Sequence, residues 1–379
     1  MRIAQIAPLE IRVPPIAYGG TELVASLLTE ELVRRGHDVT LFASGDSVTK
    51  AKLHCVCPHF LRDSDRDRGI LNILNFVACL EQAERFDIIH NHTNFEGLAT
   101  AGLVKTPVLT TLHNELKGDQ FTLFAAYKGY YNTISRSAKD LLPDKKGFVG
   151  VIYNAVDCKS YPFHGKQGDH LLSLSRISEE KGTHIAIEVA KRLKRRLIIA
   201  GNVEAKDEKY FQQKVMAQVD GDIVQFFGEA DYEQKRELFA NASCLLLPIT
   251  WPEPFGLVMV ESMACGTPVI SFNKGSASEV IYHGETGFIV EDIDEMVRAV
   301  GEIDSIDRKA CREHVERNFD VPRMVNDYLV AYQRILKLET QGEVVTTLEL
   351  AQATGQTIPY HSISSSTEIV KRIETVSKN

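Results

Sequence analysis

The fold is decided by the stretch HLLSLSRISEEKGTHIAIEVAKRLKRRLIIA, which covers residues 170–200. An apolar run at 170–175 predicts a strand, the apolar spacing over 183–193 predicts a helix, and the run at 196–200 predicts a second strand. A strand, a helix and a strand in this order are typical of a parallel sheet covered by helices on both faces. The stretch therefore predicts an α/β fold.

The same alternation extends in both directions along the chain. On the N-terminal side it predicts a helix at 21–35 and strands at 3–7, 39–43, 87–90, 108–112, 129–134 and 149–152. On the C-terminal side it predicts a helix at 322–336 and strands at 224–227, 244–248, 269–272 and 288–290. The sequence therefore predicts two Rossmann-like, doubly wound parallel-sheet domains that face a central cleft.

The boundary between the two series is expected at 157–169, which contains Pro162, Gly165 and Gly168 and shows little periodicity. The predicted parts of the chain are a first domain at 1–160, a second domain at 161–318, a further helix within 319–337 and a tail rich in Thr and Ser at 338–379. Ligands of open parallel sheets bind at the carboxyl ends of the strands. The loops that follow the strands are therefore expected to carry the chemistry.

Composition and charge narrow the function. The 379 residues include 43 Lys and Arg against 51 Asp and Glu, and this net charge of −8 does not indicate a nucleic-acid-binding protein. The seven cysteines are scattered without a Cys-x-x-Cys pair, which favours free thiols over disulfides or a zinc site. No apolar run approaches the roughly 18–20 residues that span a bilayer, and residues 1–8 resemble a strand more than a signal peptide. We expect a cytoplasmic protein and leave peripheral membrane contact open.

The segment WPEPFGLVMVE, residues 251–261, carries the most informative functional pattern. A helix is predicted from 255 to 264, and its first amides, at Gly256, Leu257 and Val258, have no partner within the helix and so form an anion site. Glu261 lies one turn into this helix, within reach of ribose hydroxyls, and Glu253 precedes it, where it can accept hydrogen bonds from a sugar. The alternative is that both are surface carboxylates near a helix start.

The loop SRISEEKG, residues 175–182, adds two cations. The guanidinium fork of Arg176 fits phosphate oxygens, and Lys181 supplies a compact point charge. Together they can neutralise a diphosphate as its bond to a sugar breaks. The alternative is a solvated loop in which the two cations pair with Glu179 and Glu180.

Shorter patterns lie at strand ends that should face the same cleft. Gly19 and Gly20 precede the helix at 21–35, and Gly201 follows the strand at 196–200, so the backbone can approach a ligand closely. His113 follows the strand at 108–112, where an imidazole can contact a sugar. Each of these residues is also consistent with a structural role, as part of a tight turn or as a satisfied polar contact.

Taken in order, these patterns resemble the motifs of retaining GT-B glycosyltransferases, specifically glycosyltransferase family 4. Glu253-Pro-Phe-Gly with Glu261 resembles the family's Glu-x7-Glu motif, and Ser175-Arg-Ile with Lys181-Gly resembles its Gly-Arg-Leu and Lys-Gly motif. Further matches over 1–337 lie at 18–22, 111–114, 154–157 and 285–288. The departures from residues frequent in the family are Ala155, Ser276 and Ser278.

The resemblance implies a GT-B fold whose first domain binds the acceptor, whose second domain binds a nucleotide sugar, and whose helix within 319–337 returns to the first domain. It implies a catalytic set of His113, Arg176, Lys181 and Glu253. The implied donor site comprises Gly19, Gly20, Arg176, Lys181, Gly201, Glu253, Phe255, Gly256, Leu257, Val258 and Glu261. The acceptor is expected to contact Tyr18, His92, Asn94 and Glu115.

The reaction expected from this resemblance is transfer of a hexose from a nucleotide-diphosphate sugar to an unidentified acceptor hydroxyl, with retention of anomeric configuration. UDP-, GDP- and ADP-sugars all fit, and UDP-glucose is selected by its frequency in the family. A sugar-nucleotide epimerase and a non-catalytic nucleotide-sugar-binding subunit remain as alternatives. No metal or cofactor is expected, because the Asp-x-Asp patterns at 63–65 and 220–222 are short and the first lies in a charged loop.

Overall fold

The computed structural model describes residues 1–62, 64–93, 96–166 and 168–341. Strands and helices alternate along its first half. The strands there are β1 (Arg2–Ile6), β2 (Asp38–Phe42), β3 (Lys52–His54), β4 (Ile88–Asn91), β5 (Val108–Leu112), β6 (Tyr130–Thr133) and β7 (Phe148–Val151). The helices are α1 (Gly20–Arg34), α2 (Arg68–Leu80), α3 (Glu96–Thr100), α4 (Gln120–Ala126) and α5 (Arg136–Asp140).

The second half repeats the alternation and ends in a long helix. Its strands are β8 (His170–Leu174), β9 (Leu197–Ala200), β10 (Val224–Gly228), β11 (Ala242–Leu247), β12 (Val269–Phe272) and β13 (Gly287–Val290). Its helices are α6 (Thr183–Leu193), α7 (Glu208–Tyr210), α8 (Tyr232–Asn241), α9 (Leu257–Ala264), α10 (Ala277–Val280), α11 (Ile293–Gly301), α12 (Arg308–Asn318) and α13 (Val321–Gln341).

Each half builds one sheet in which every strand pair is parallel. The first sheet has the order β3-β2-β1-β4-β5-β6-β7, and the second has the order β10-β9-β8-β11-β12-β13. The strand order therefore reverses between β1 and β4 in one sheet and between β8 and β11 in the other. Ligands of open α/β sheets bind outside the carboxyl ends of the strands at such switch points.

Helix α13 follows the second sheet in the chain but packs on the first. Val24, Leu28 and Leu32 recur every four residues along α1, so they lie on one face and are fully buried. They share a hydrophobic core with β1 and with the buried face of α13, including Val325 and Ile335. This packing joins the C-terminal end of the described chain to the first domain.

A carboxylate also bridges the two halves. Glu279 of α10 accepts hydrogen bonds from the backbone N–H groups of Arg136 at 2.8 Å and Ser137 at 2.7 Å, at the start of α5. The hydroxyl of Tyr153 donates to the same side chain at 2.9 Å. Because a helix N-terminus attracts negative charge, this carboxylate is well suited to join the two domains at that point.

Two further features bear on the predictions from composition. Within the described residues, no helix combines the length and the apolar character needed to cross a membrane. All seven cysteines are free thiols, as predicted from their spacing.

Candidate active site

A cleft of about 340 Å³ opens between the carboxyl ends of the two sheets. The structure brings every residue of the predicted donor site to this one cleft, together with His113. The lining includes Gly19, Gly20, His113, Arg176, Lys181, Gly201, Glu253, Phe255, Gly256, Leu257, Val258 and Glu261. The roles of these residues stay predictions, but their positions satisfy the first requirement of a shared site.

The start of α9 lies where the two domains approach each other. The helix begins at Leu257, two residues later than predicted, because Gly256 before it adopts a left-handed conformation with φ of 73°. From the other wall, Gly20 comes so near that a Cβ on it would lie 3.3 Å from Leu257 Cδ1. The amides of the first turn of α9 therefore lie at a narrow point of the cleft.

Lys181 is held between an acid and an aromatic ring. Its ammonium pairs with the carboxylate of Glu253 and lies 4.9 Å from the ring centre of Trp251. Trp251 Nε1 donates to the same carboxylate at 3.1 Å. Only 15% of the Lys181 side chain and 12% of the Glu253 side chain are exposed. An ammonium has three N–H donors, so one directed at Glu253 leaves two for other acceptors.

Glu261 belongs to a second buried pair, one turn into α9. Its carboxylate accepts a hydrogen bond from the Tyr161 hydroxyl at 2.9 Å and pairs with Lys235 of α8. The side chains of Glu261 and Lys235 are only 5% and 13% exposed. Removing one partner of a buried pair typically costs about 3–5 kcal/mol. The carboxylate of Glu261 is therefore firmly held at the wall of the cleft.

Arg176 lies in the same wall and is surrounded by acids. Its guanidinium donates to Asp207 at 2.7 Å, pairs with Glu180, and lies 3.6 Å from Glu204. Burial lowers the pKa of Arg176, but the carboxylates outweigh this and hold the pKa above its usual value. The side chain is 12% exposed, so Arg176 is not solvated as the alternative supposed, although its pairing with Glu180 is one that the alternative named.

The opposite wall presents an uncharged ring to these charges. His113 follows β5, lines the cleft and is 6% exposed. Burial lowers the pKa of its imidazole to about 3, so the ring is neutral at neutral pH. His113 Nε2 lies 3.0 Å from Nδ1 of His92. The wall therefore offers a hydrogen-bonding group without charge.

The structure describes three of the four predicted acceptor residues and places them apart from one another. Tyr18 lines the cleft, with 43% of the residue exposed. Glu115 lines a separate, smaller cavity beside Pro254. His92 is 1% exposed and lies behind His113. It therefore contacts that histidine and does not face the cleft in which an acceptor would lie. Asn94 lies outside the described residues.

The residues that contact the predicted site but were not assigned from the sequence include Trp251, Lys235 and Tyr161. Trp251 is the only tryptophan of the chain and stands two residues before Glu253, a signal that could have identified it. Lys235 and Tyr161 belong to no motif. They reach Glu261 only because α8 and the segment after β7 fold against α9.

The described residues contain no group of three or more His, Cys, Asp or Glu side chains that could hold a metal ion. Asp63, in the first Asp-x-Asp pattern, is outside the described ranges. In the second, Asp220 accepts hydrogen bonds from the N–H groups of Asp222 at 3.0 Å and Val224 at 2.8 Å. This turn precedes β10, so it lies at the amino end of the sheet, away from the cleft edge.

Comparisons with known proteins match both halves of the chain. One relative, the N-acetyl-alpha-D-glucosaminyl L-malate synthase of Bacillus anthracis, is 25% identical over an alignment of 391 positions, gaps included, that covers 86% of this chain and 97% of the relative. The sucrose-phosphate synthase structure from Thermosynechococcus elongatus has a TM-score of 0.75 at 18% identity and covers 89% of this chain and 99% of that one. The structure of Anabaena HepE in complex with UDP-glucose has a TM-score of 0.67 at 19% identity, and the match covers 90% of this chain and 100% of HepE.

Family models account for most of the chain. The model for Glycosyltransferase Family 4 matches residues 18–160, and the model for Glycosyl transferases group 1 matches residues 162–316. The two matches correspond to the two parallel-sheet domains that face the cleft. The chain therefore belongs to the group 1, family 4 type of glycosyltransferase and has the GT-B fold.

Proposed function

We propose that this glycosyltransferase moves a hexose from a nucleotide-diphosphate sugar to an acceptor hydroxyl and retains the anomeric configuration of the donor. The observation that carries the proposal is the convergence in one cleft of two lysine–glutamate pairs, an arginine and a helix start on one wall with a neutral imidazole on the other. The proposal assigns residues 1–160 to the acceptor and residues 161–318 to the donor.

The diphosphate is assigned to Lys181, Arg176 and the first amides of α9. As the bond between the sugar and the phosphate breaks, negative charge develops on the departing oxygen, and donors that are already oriented stabilise that charge without reorganising. Lys181 suits this role because Glu253 and Trp251 fix its ammonium from two sides. Water-poor surroundings strengthen the interaction.

The ribose and the hexose are assigned to the flanking acceptors. Glu261 is proposed to accept hydrogen bonds from two vicinal hydroxyls, and the contacts of Tyr161 and Lys235, which hold its carboxylate at the wall, support this role. Glu253 and His113 line opposite sides of the same cleft, so the hexose is proposed to lie between them.

The reaction proposed for this arrangement is displacement on one face of the sugar. The acceptor oxygen forms a bond to the anomeric carbon on the side from which the nucleoside diphosphate leaves. The bond between the anomeric carbon and the phosphate oxygen breaks at the same time, and the reaction passes through an oxocarbenium-like state. The hydroxyl proton passes to the departing phosphate oxygen. Attack from the leaving side gives retention, and holding the reactants together supplies much of the rate.

UDP-glucose is the donor to test first. Structures of Anabaena HepE were solved with UDP, with UDP and glucose, and with UDP-glucose. The Bacillus anthracis relative is named for an N-acetylglucosaminyl transfer, so GDP-sugars, ADP-sugars and N-acetylhexosamine donors belong in the same screen.

The experiment combines a thermal-shift screen of these donors with an assay of acceptor-dependent nucleotide release. We expect one class of nucleotide sugar to raise the unfolding temperature, and magnetic resonance of the product to show the donor's anomeric configuration. An inverted product would contradict retention. Conversion of the donor's own sugar without an acceptor would indicate an epimerase, and binding without turnover across a broad acceptor panel would indicate a non-catalytic subunit.

A further inference from the structure

A row of polar side chains crosses the first sheet beneath α13. Gln5 on β1 pairs in register with His90 on β4, and Thr111 on β5 pairs in register with Asn132 on β6. All four residues are at most 1% exposed. Buried polar groups need hydrogen-bond partners, so the connections within this row determine its structure.

Hydrogen bonds link the row into a chain that reaches the cleft. From the cleft inward, His113 Nε2 lies 3.0 Å from His92 Nδ1, and His92 Nε2 lies 2.8 Å from Gln5 Oε1. The Tyr332 hydroxyl then lies 3.1 Å from Gln5 Nε2 on one side and 2.6 Å from His90 Nδ1 on the other. Finally, Thr111 Oγ1 lies 2.7 Å from His90 Nε2 and 2.7 Å from Asn132 Oδ1. Six links thus join β6 to the cleft wall.

Each link carries a single hydrogen. Burial lowers the pKa of His90 and His92 well below the usual value and that of His113 to about 3. Each imidazole is therefore neutral, with one N–H donor and one acceptor nitrogen. The chain can accordingly run in one direction or in the other, and reversing it would change the tautomer of every ring.

The inner end fixes the direction. Asn132 Nδ2 lies 3.4 Å from the carbonyl oxygen of Thr133, which only accepts. The amide oxygen of Asn132 therefore faces Thr111, and the Thr111 hydroxyl donates to it. Having used its only hydrogen, Thr111 must accept from His90, so the hydrogen of His90 is on Nε2.

The direction then passes outward link by link. His90 Nδ1 accepts from the Tyr332 hydroxyl, which in turn accepts from the amide of Gln5. The amide oxygen of Gln5 accepts from His92 Nε2–H, which leaves His92 Nδ1 to accept from His113 Nε2–H. His113 lines the cleft, and its remaining ring nitrogen, Nδ1, keeps its lone pair.

We propose that Gln5, His92 and Tyr332 are positioning residues that hold His113 with its hydrogen on Nε2, so that Nδ1 accepts a hydrogen bond from a hydroxyl of the transferred sugar. The sugar contact rests on the proposed function, whereas the tautomer does not. Through Tyr332, α13 contributes to the chemistry of a cleft that it does not line.

The first test is the tautomer of His113 in the whole protein. Magnetic resonance of isotope-labelled histidine ring nitrogens distinguishes a protonated nitrogen from an acceptor nitrogen, and the signals are assigned by single substitutions of His90, His92 and His113. We expect the hydrogen on Nε2 in all three rings. A hydrogen on Nδ1 of His113 would overturn the proposal, whether or not the protein turns over a donor.

The second test compares two tyrosines on the same face of α13. Tyr332→Phe interrupts the chain. Tyr328→Phe removes an equally buried hydroxyl that bonds Thr111 at 3.1 Å as a side branch. We expect Tyr332→Phe to shift the His113 ring signals and to lower kcat by about 10-fold, because His113 would lose the orientation that about one hydrogen bond provides. Tyr328→Phe should leave both nearly unchanged.

The outcomes separate this inference from the function on which it depends. Equal effects of Tyr332→Phe and Tyr328→Phe on the His113 signals would overturn the positioning role. If Tyr332→Phe fails to fold, Gln5→Leu cuts the next link and allows the same comparison. A protein that shows the expected tautomer but transfers no sugar would contradict the proposed function alone.

Discussion

The two walls of the cleft stabilise their buried polar groups in opposite ways. The second-domain wall carries formal charges that neutralise one another, as in the pairs Lys181–Glu253 and Lys235–Glu261. The first-domain wall is built from neutral rings and amides in a chain that ends at His113. A buried charge is costly unless it is paired, whereas a neutral polar group needs only hydrogen-bond partners.

The difference corresponds to the two parts of a nucleotide sugar. A diphosphate is charged and gains further charge as it leaves, whereas a hexose carries only hydroxyl groups. Paired cations keep donors available for phosphate oxygens, and neutral imidazoles offer hydroxyl groups a partner without attracting counterions. Under the proposed function, the contrast between the walls orients the donor.

The largest effect is expected from removing a charge from the second-domain wall. Lys181→Ala deletes the ammonium and leaves the Glu253 carboxylate unpaired beside the position proposed for the diphosphate. We expect kcat/KM to fall by about 100- to 1,000-fold, which is typical for the loss of one preorganised donor to a developing anion. Steady-state kinetics with the donor identified in the screen measure this change.

The matched control is Lys191→Ala, a lysine on an exposed face of the same domain that bonds Gln218 at 2.8 Å. Its removal should leave kcat/KM unchanged, because it touches neither wall. If folded Lys181→Ala retained the kcat/KM of the control, the division of charge between the walls would have no catalytic meaning.

A smaller effect should separate the ribose from the diphosphate. If Glu261 accepts from ribose hydroxyls, a nucleoside diphosphate should bind about 10- to 100-fold more tightly than its 2′-deoxy counterpart, since hydrogen bonds to a charged group contribute about 1.5–3 kcal/mol. Glu261→Gln keeps the shape and removes the charge, so we expect most of this ratio to disappear. Calorimetric titration of both nucleotides with both proteins measures it.

Glu229 supplies the control for this comparison, because it is another carboxylate that lines the cleft. Glu229→Gln should keep the full ratio between the two nucleotides. If Glu261→Gln kept the same ratio between the affinities for the two nucleotides, Glu261 would not be the residue that binds the ribose, even if both affinities fell.

The charged wall could be recognised from the sequence because its residues are close together in the chain. Arg176 and Lys181 lie in one loop, and Glu253 and Glu261 are eight residues apart, in the connection before α9 and in its first turns. The alternative drawn from the sequence named Glu180, a partner of Arg176 from the same loop, but the sequence could not show distant partners, such as Asp207, which reaches Arg176 from the loop after β9. Such pairs form only when separate loops meet at the same sheet edge.

The neutral wall could not be recognised from the sequence, since its residues are scattered from Gln5 to Tyr332. Only strand pairing and the return of α13 bring them together. For this reason His92 was expected at the acceptor, although it lies behind His113. Helix α2 was missed for another reason: Ile70, with 58% of the residue exposed, is one of several apolar residues on its solvent side, which obscures the periodicity.

The last effect concerns stability rather than catalysis, at a carboxyl of the first domain whose surroundings favour its neutral form. Glu22 lies in the first turn of α1 and is 5% exposed. Burial raises the pKa of Glu22 from 4.5 to about 7; a backbone hydrogen bond to the carboxyl group opposes this rise, Glu10 adds to it, and Arg62 opposes it least. Glu22 thus contrasts with Glu253 and Glu261, which a lysine accompanies.

The native protein keeps the Glu22 proton up to about pH 7, whereas the unfolded chain releases it near pH 4.5. The contribution of Glu22 to stability therefore falls as pH rises through this window. Glu22→Gln removes this loss, so the variant should gain about 2 kcal/mol over the wild type between pH 5 and pH 8 in urea unfolding. The buried histidines, whose lowered pKa makes stability fall on acidification, are common to both proteins and cancel. Exposed Glu84→Gln should show no such trend, and an equal trend in both variants would mean that Glu22 is ionised within the fold.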